Sequence, residues 1–270
     1  MKIIIFLLVF FMMGLSAQAQ EIQVKKISVG KEFFEQPNAQ ADQWSQVPES
    51  RVTLLPQNIT TPSLLAPTIN LVQIKALHNG KWMAIRVEWP DTTDDHQVTT
   101  DQASDAIAVQ FPLKEGDKTS PFMGSKDAPV GIMQWKALWQ HDIDKGYQKV
   151  TDIYPNTFYE TYRFGIKAAE EAGNSVSRQQ RKSPVEEYVA GGFGTLTVQP
   201  HQDALASGSW LNGKWVVVFA RPLKNSDKND PRFSAGDKSV IAFAVWEGGH
   251  KNVGARKNYA MWMPIVFEKK

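Results

Sequence analysis

Polar and apolar residues alternate in short runs along most of the chain, and turn-forming residues separate the runs. The clearest case is 69–90, where Asn79-Gly80 divides two apolar arms. In the second arm Met83, Ile85, Val87 and Trp89 fall on one side of an extended backbone, and Trp82, Arg86 and Glu88 on the other. A period of two marks a half-buried strand. Asn-Gly suits a type I′ turn, in which both central residues take positive φ, so 69–90 is predicted to be a hairpin. The device returns at 210–223, where Asn212-Gly213 is again followed by Lys-Trp. There Val216-Val217-Val218-Phe219-Ala220 is apolar at every position, as expected of a central strand covered on both faces. The recurrence suggests that the hairpins are related halves of a sandwich.

Further strands are predicted at 105–111, 130–138, 194–198, 239–246 and 259–267, with Pro264 confining the last to an edge or a bulge. Only 162–173 and 184–189 look helical, and both are short. Long polar connections remain at 37–66, 91–104, 113–126 and 174–183. Loops of this length on a rigid β scaffold are where binding concentrates. The elements together predict an all-β fold: a single β-sandwich domain with long loops and one or two short helices.

The N-terminus changes the picture of where the domain works. Lys2 precedes an unbroken apolar run over 3–13, and Ala17-Gln18-Ala19 supplies small residues where a signal peptidase needs them. Residues 1–19 therefore read as a cleaved signal peptide and 20–270 as the mature domain, exported to the periplasm and without a membrane anchor. The net charge of +2 over 270 residues carries no concentrated positive field, which argues against nucleic acid as a partner. The sequence contains no cysteine, which excludes disulfides, thiolate metal sites and haem attached through C-x-x-C-H. Nine Trp and fourteen Phe leave stability to packing.

No hydrolase or transferase signature is present: G-x-S-x-G, the phosphate-binding loop, the dinucleotide fingerprint and H-E-x-x-H are all missing. Gly191-Gly192-Phe193-Gly194 reads as a loop or bulge. His78, His96, His141, His201 and His250 never fall at metal-ligand spacing and read as surface or turn residues. Asp91, Asp94 and Asp95 form a small acidic loop that could offer oxygen ligands to calcium, although a solvated turn is the simpler reading. Met123, in Pro121-Phe122-Met123-Gly124-Ser125, is unusual among turn residues because its flexible apolar chain normally fills cores; alone, a side chain tucked back onto the sandwich is the simpler reading. Arg256-Lys257 precedes the final strand; alone, such a basic pair is a solvated edge.

Taken in order, several segments resemble the haem-binding gamma subunits of type II DMSO-reductase-like molybdoenzymes, a group that includes ethylbenzene dehydrogenase. They are Asn79-Gly80-Lys81 with Ile85-Arg86-Val87-Glu88-Trp89-Pro90-Asp91, Asp105-Ala106-Ile107-Ala108-Val109-Gln110-Phe111-Pro112, Phe122-Met123-Gly124, Pro129-Val130 with Trp135-Lys136-Ala137, Phe243-Ala244-Val245-Trp246-Glu247-Gly248, and Arg256-Lys257 with Trp262. The likeness runs from about residue 71 to the C-terminus.

The resemblance implies a β-sandwich enclosing one non-covalent haem b with a methionine and a lysine as axial ligands. By position these are Met123 and Lys257, with Lys251 and His250 as other donors on the same connection. A thioether favours ferrous iron and raises the potential. Lysine ligates only as the neutral amine, which burial favours over the ammonium. With both axial positions filled, the implied role is one-electron transfer and no bond chemistry. Partners would be the molybdopterin and iron–sulfur subunits of such a complex, or a soluble redox protein. Two readings without a cofactor stand beside it: a secreted carbohydrate-binding β-sandwich using exposed aromatics, and a structural subunit of a larger enzyme.

Overall fold

The computed structural model describes residues 21–114, 119–156, 172, 178 and 180–269. Two β layers face each other. The first runs β10 (Leu205–Trp210), β11 (Lys214–Pro222), β5 (Trp82–Pro90), β4 (Leu71–His78), β1 (Ile22–Lys26) and β14 (Met263–Phe267), with β2 (Ser50–Thr53) also pairing β4. The second runs β6 (Ala106–Pro112), β7 (Val130–Lys136), β8 (Val185–Ala190) and β9 (Thr197–Val198). One long strand, β12 (Lys238–Trp246), joins the layers. Its first half, Lys238 to Ile241, pairs with β14, and its second half, Ala242 to Trp246, pairs with β6. β13 (Asn258–Tyr259) adds to β12, and β3 (Leu55–Pro56) adds to β13. Among the described residues the helices are short: α1 (Glu32–Glu35), α2 (Ala137–Lys145) and α3 (Val150–Ile153). None of them is long and apolar enough to cross a membrane.

Aromatic side chains seal the space between the layers. Trp135 of β7 meets Trp215 of β11 with ring centres 4.9 Å apart and Trp89 of β5 at 6.4 Å. Further along, Phe233 stacks on Phe267 and meets Phe111 edge-on. The predicted face of β5, Met83, Ile85, Val87 and Trp89, lies wholly within this core. The other face of the first layer is covered by the N-terminal segment. Phe34 of α1, Trp44 and Val47 pack on Leu77, Ala84, Val218 and Ala220. That cover explains why 216–220 is apolar on both faces.

The two Asn-Gly turns differ. Asn212 and Gly213 both take positive φ, 54° and 74°, as a type I′ turn requires. In the β4–β5 loop only Gly80 does so; the Asn79 side chain instead accepts the N–H groups of Lys81 and Trp82. Nor are the hairpins opposite halves of the sandwich, because β5 and β11 are antiparallel neighbours within one layer.

Several sequence expectations are corrected. In place of a helix over 184–189, Val185–Ala190 form strand β8, in continuous register with β7 from Trp135↔Val185 to Val130↔Ala190. Its acidic pair survives burial through partners: Glu187 accepts the N–H of Ala204 at 2.8 Å, and Glu186 pairs with Arg181 at 3.0 Å. The strand expected to reach 138 stops at Lys136, where α2 begins. The 37–66 connection contains β2 and β3. β14 is not an edge, since it lies between β1 and β12; its pairs with β1 begin at Ile265, one residue past Pro264. His78 is fully buried rather than at the surface. The helix expected over 162–173 lies outside the described residues.

Candidate functional site

The second layer alternates strictly. On β6, Ile107, Val109 and Phe111 face the interlayer core, while Ala106, Ala108 and Gln110 face outward; on β7, Met133 and Trp135 face inward and Ile132, Gln134 and Lys136 outward. Ala242, Ala244 and Trp246 of β12 continue the outward face beside them. In the register, Ala244 lies opposite Ala108 and Trp246 opposite Ala106. Small side chains on adjacent strands make a flat floor. Above it is a cavity of about 700 Å³, walled by loops that carry Thr60, Val98, Phe122, Phe193 and Val253. That volume suits a small molecule or cofactor. The cavity lies on the outer face of one layer, not between the layers as a sandwich enclosing its ligand would have it.

Both residues singled out in the sequence line this cavity: Met123 and Lys257. Lys251 and His250 do not. Lys251 is exposed with φ of 56°, and His250 is exposed and pairs with Glu247 at 2.8 Å.

Met123 sits in the left-handed region with φ of 66°. For a residue with a Cβ this conformation is costly and persists only where the surroundings enforce it. Here the restraints are visible. Gly192 donates its N–H to the Met123 carbonyl at 2.8 Å, and Gly124 donates to Ser120 at 3.0 Å. Gln110 reaches from the floor and donates to the Pro121 carbonyl at 2.7 Å. Gly124 has φ of 72°, and a side chain there would meet the Ala128 carbonyl at 2.7 Å. The glycine cluster at 191–194 thus anchors the methionine loop, and its Phe193 lines the cavity.

Lys257 is fixed by its neighbours. Its carbonyl accepts the Gln57 N–H at 2.9 Å, and Asn258, the next residue, is fully buried. The Asn258 side chain accepts the N–H of Thr68 at 2.9 Å and donates to the Val245 carbonyl at 3.3 Å. The Lys257 amine stands 5.0 Å over the Trp246 ring. No carboxylate among the described residues pairs with it, and burial lowers its pKa to about 8. This part of the cavity therefore shifts the balance toward the neutral amine, the form able to donate a lone pair, although the ammonium still predominates at pH 7.

Residues 41–258 match the family model described as ethylbenzene dehydrogenase. The chain belongs to that family. Two curated relatives align along nearly all of it. One, from Haloferax mediterranei and provisionally named a respiratory nitrate reductase heme subunit, is 24% identical over 250 residues, 92% of this chain and 74% of the relative. The other, chlorate reductase subunit gamma of Ideonella dechloratans, is 26% identical over 259 residues, 94% of this chain and 88% of the relative. Among solved structures, a family 9 carbohydrate-binding module from Caldicellulosiruptor kristjanssonii in complex with glucose covers 93% of this chain and 97% of its own, at 10% identity and a TM-score of 0.44. That likeness is too loose to argue from.

This member of the ethylbenzene dehydrogenase family also brings together residues that spacing alone does not connect. Lys136 lines the cavity from β7, its amine 4.7 Å over the Trp139 ring, and burial lowers its pKa. The rings of His96 and His141 stack 4.5 Å apart although 45 positions separate them. Of the tryptophans considered for the pocket, Trp246 lines it and Trp135 is interlayer core. The pocket-facing alanines occupy alternate positions of Asp105-Ala106-Ile107-Ala108, where the sequence marked only a strand.

Proposed function

We propose that the cavity holds one non-covalent haem b, with the Met123 thioether and the Lys257 amine as axial ligands, and that the protein is a non-catalytic electron-transfer subunit. The observation that carries this reading is the placement of both side chains on one cavity, the methionine in a strained backbone conformation and the lysine without a counter-charge. The surroundings suit the group: a flat alanine floor, apolar walls from Phe122, Phe193 and Leu196, and neither thiol nor C-x-x-C-H for covalent attachment. When bound, such a haem supplies one-electron exchange at a potential raised by the sulfur ligand.

The residues of the chain then have distinct tasks. Burial of the Lys257 amine against the cavity wall disfavours its ammonium form, which eases loss of its proton. The loop restraints on Met123 present its sulfur without a search through backbone conformations. The relatives' names, a nitrate reductase heme subunit and a chlorate reductase gamma subunit, support assembly with a catalytic partner. Within this reading that partner contains molybdopterin and iron–sulfur subunits, or a soluble redox protein takes their place. Residues 1–19 act as a signal peptide that sends the domain 20–270 to the periplasm.

Absorption spectra of the purified chain loaded with haem, oxidised and reduced, test the proposal. A low-spin, six-coordinate spectrum is expected, and Met123→Ala and Lys257→Ala should each convert it to a high-spin form. A protein that takes up no haem, or whose spectrum ignores both substitutions, overturns the assignment.

A further inference from the structure

Opposite in character to the apolar cavity, a knot of carboxylates closes the base of the 91–105 loop. Asp91 at the end of β5, Asp95, and Asp105 at the start of β6 bring one carboxylate oxygen each to within 4.8 Å of the others. Asp91 is 2% exposed and Asp105 is 0% exposed. Glu247, at the end of β12, is 6% exposed and adds its charge beside Asp91. Its Oε1 pairs with His250, while its Oε2 is buried with no hydrogen-bond partner. Asp91 Oδ2 also lacks a partner; the Trp89 indole N–H approaches that carboxylate without completing a hydrogen bond. No lysine or arginine among the described residues pairs with any of the four acids. Buried anions without cations are costly, so something positive is required.

Protons are one way to meet that requirement and a metal cation is the other. Asp105 accepts N–H groups from Asp95 and Trp215 on Oδ2, at 2.8 and 2.9 Å, and from Gly248 on Oδ1 at 2.7 Å. These three N–H groups oppose the rise that burial and the neighbouring Asp91 charge impose on the pKa of Asp105, which stands at about 8, so a cation competes with protons for the cluster. The backbone is shaped to let the acids converge. A side chain at Gly248 would strike Asp95 Cβ at 2.6 Å and the Ala103 carbonyl at 2.3 Å. One at Gly249 would crowd Asp95 Oδ2 and the Thr93 hydroxyl at 3.1 Å.

We propose that Asp91, Asp95 and Asp105, with the Glu247 charge beside them, bind a hard divalent cation, calcium by preference, which fastens the 91–105 loop to the end of β12. The donors are all oxygen, with the Thr93 hydroxyl within reach of Asp95 at 2.6 Å, and oxygen-only, carboxylate-rich sets select Ca²⁺ or Mg²⁺ over softer metals. Asp94 takes no part; it faces His96 at 3.2 Å. The site is distinct from the cavity and does not depend on the haem reading. Its consequence reaches the cavity nonetheless, since Val98, Ala103 and Ser104 of the fastened loop form part of the cavity wall.

The full chain, stripped with chelator, tests this with calcium and terbium alone. The melting temperature should rise with added Ca²⁺ as mass action requires. Terbium luminescence excited through tryptophan should saturate and be displaced by Ca²⁺, because the Trp215 indole lies against Asp105. Glu247→Gln should weaken binding by roughly tenfold or more. If that variant does not fold, Asp95→Asn, at a half-buried position, gives the same readout. A melting temperature indifferent to Ca²⁺, Mg²⁺ and Mn²⁺, with no tryptophan-sensitised luminescence, overturns the proposal. A melting temperature that changes with pH alone and ignores all three metals also overturns it, since protons would then discharge the cluster.

Discussion

Lys257 holds its amine 5.0 Å over the Trp246 indole, and that indole is itself pinned by a hydrogen bond from its N–H to the Gly254 carbonyl at 2.9 Å. The pair makes a rigid corner in which an ammonium has one aromatic face for company and no anion. On the proposed ligation, iron would have to displace the proton from this amine, whose pKa burial lowers to about 8. Below that pH, haem uptake releases one proton, and affinity should rise by up to roughly tenfold per pH unit. Above it the affinity should level off. Haem titrations from pH 6 to 9 check this, and a flat profile would remove Lys257 as a ligand.

Met123 separates a ligand role from a structural one. Its left-handed backbone costs roughly 1–2 kcal/mol, a cost that glycine escapes. Met123→Gly should therefore leave the stability of the cofactor-free protein within about 1 kcal/mol of the parent, relief of strain offsetting lost packing and added chain entropy. Its haem spectrum should nonetheless become high-spin. Denaturant unfolding together with absorption spectroscopy gives both quantities. A large loss of stability with an unchanged spectrum would make Met123 a packing residue.

Gly208 of β10 lies directly against the Trp135 ring. A Cβ at that position would meet the ring at 2.3 Å, and the Gly208 N–H donates to Gln140 at 2.9 Å. Gly208→Val should cost roughly 1–3 kcal/mol by overpacking the interlayer core. Because the cavity lies on the far face of β7, haem affinity should change little once the variant is folded. Chemical denaturation and haem titration of one sample decide both points.

Glu187 gives the fold a pH dependence of its own. Burial is the main reason its pKa rises from 4.5 to about 7, opposed by the N–H groups of Ala204 and Asp203 and by Arg221. The folded state therefore binds this proton more tightly than the unfolded state does. The stability it contributes is present below about pH 4.5 and is lost as pH rises toward 7. Relative to the parent, Glu187→Gln should gain stability progressively between pH 5 and 7 and then plateau. Thermal unfolding across that range measures it; parallel profiles for the two proteins would contradict the raised pKa.

What the sequence made legible follows from where physics is local. The alternation of 82–89 and 105–111 is imposed by one buried face, so it is written in single residues and reappears as β5 and β6. Val185-Glu186-Glu187-Tyr188 was misread because its acids resemble a helix's solvated face; their partners are Arg181, five residues before Glu186, and Ala204, which comes back to Glu187 from beyond β9. The helix after β7 did leave a signal, Lys145 followed by Gly146 with φ of 99°, the cation and glycine of a helix end. For the site, Met123 stood out because its flexible apolar side chain is unusual among turn residues. The acidic group was only half visible: Asp91 and Asp95 belong to it, whereas Asp105 and Glu247 arrive from other strands.

The position of the cavity, outside the packed space between the layers, has a consequence for biogenesis. Trp89, Trp135 and Trp215 close the interior between the layers, on the face of β7 away from the cavity. On the proposed reading, such a domain would complete its own scaffold first and receive the haem afterwards through a mouth framed by loops. Delivery of the porphyrin then becomes a late, separable event, open to control by supply.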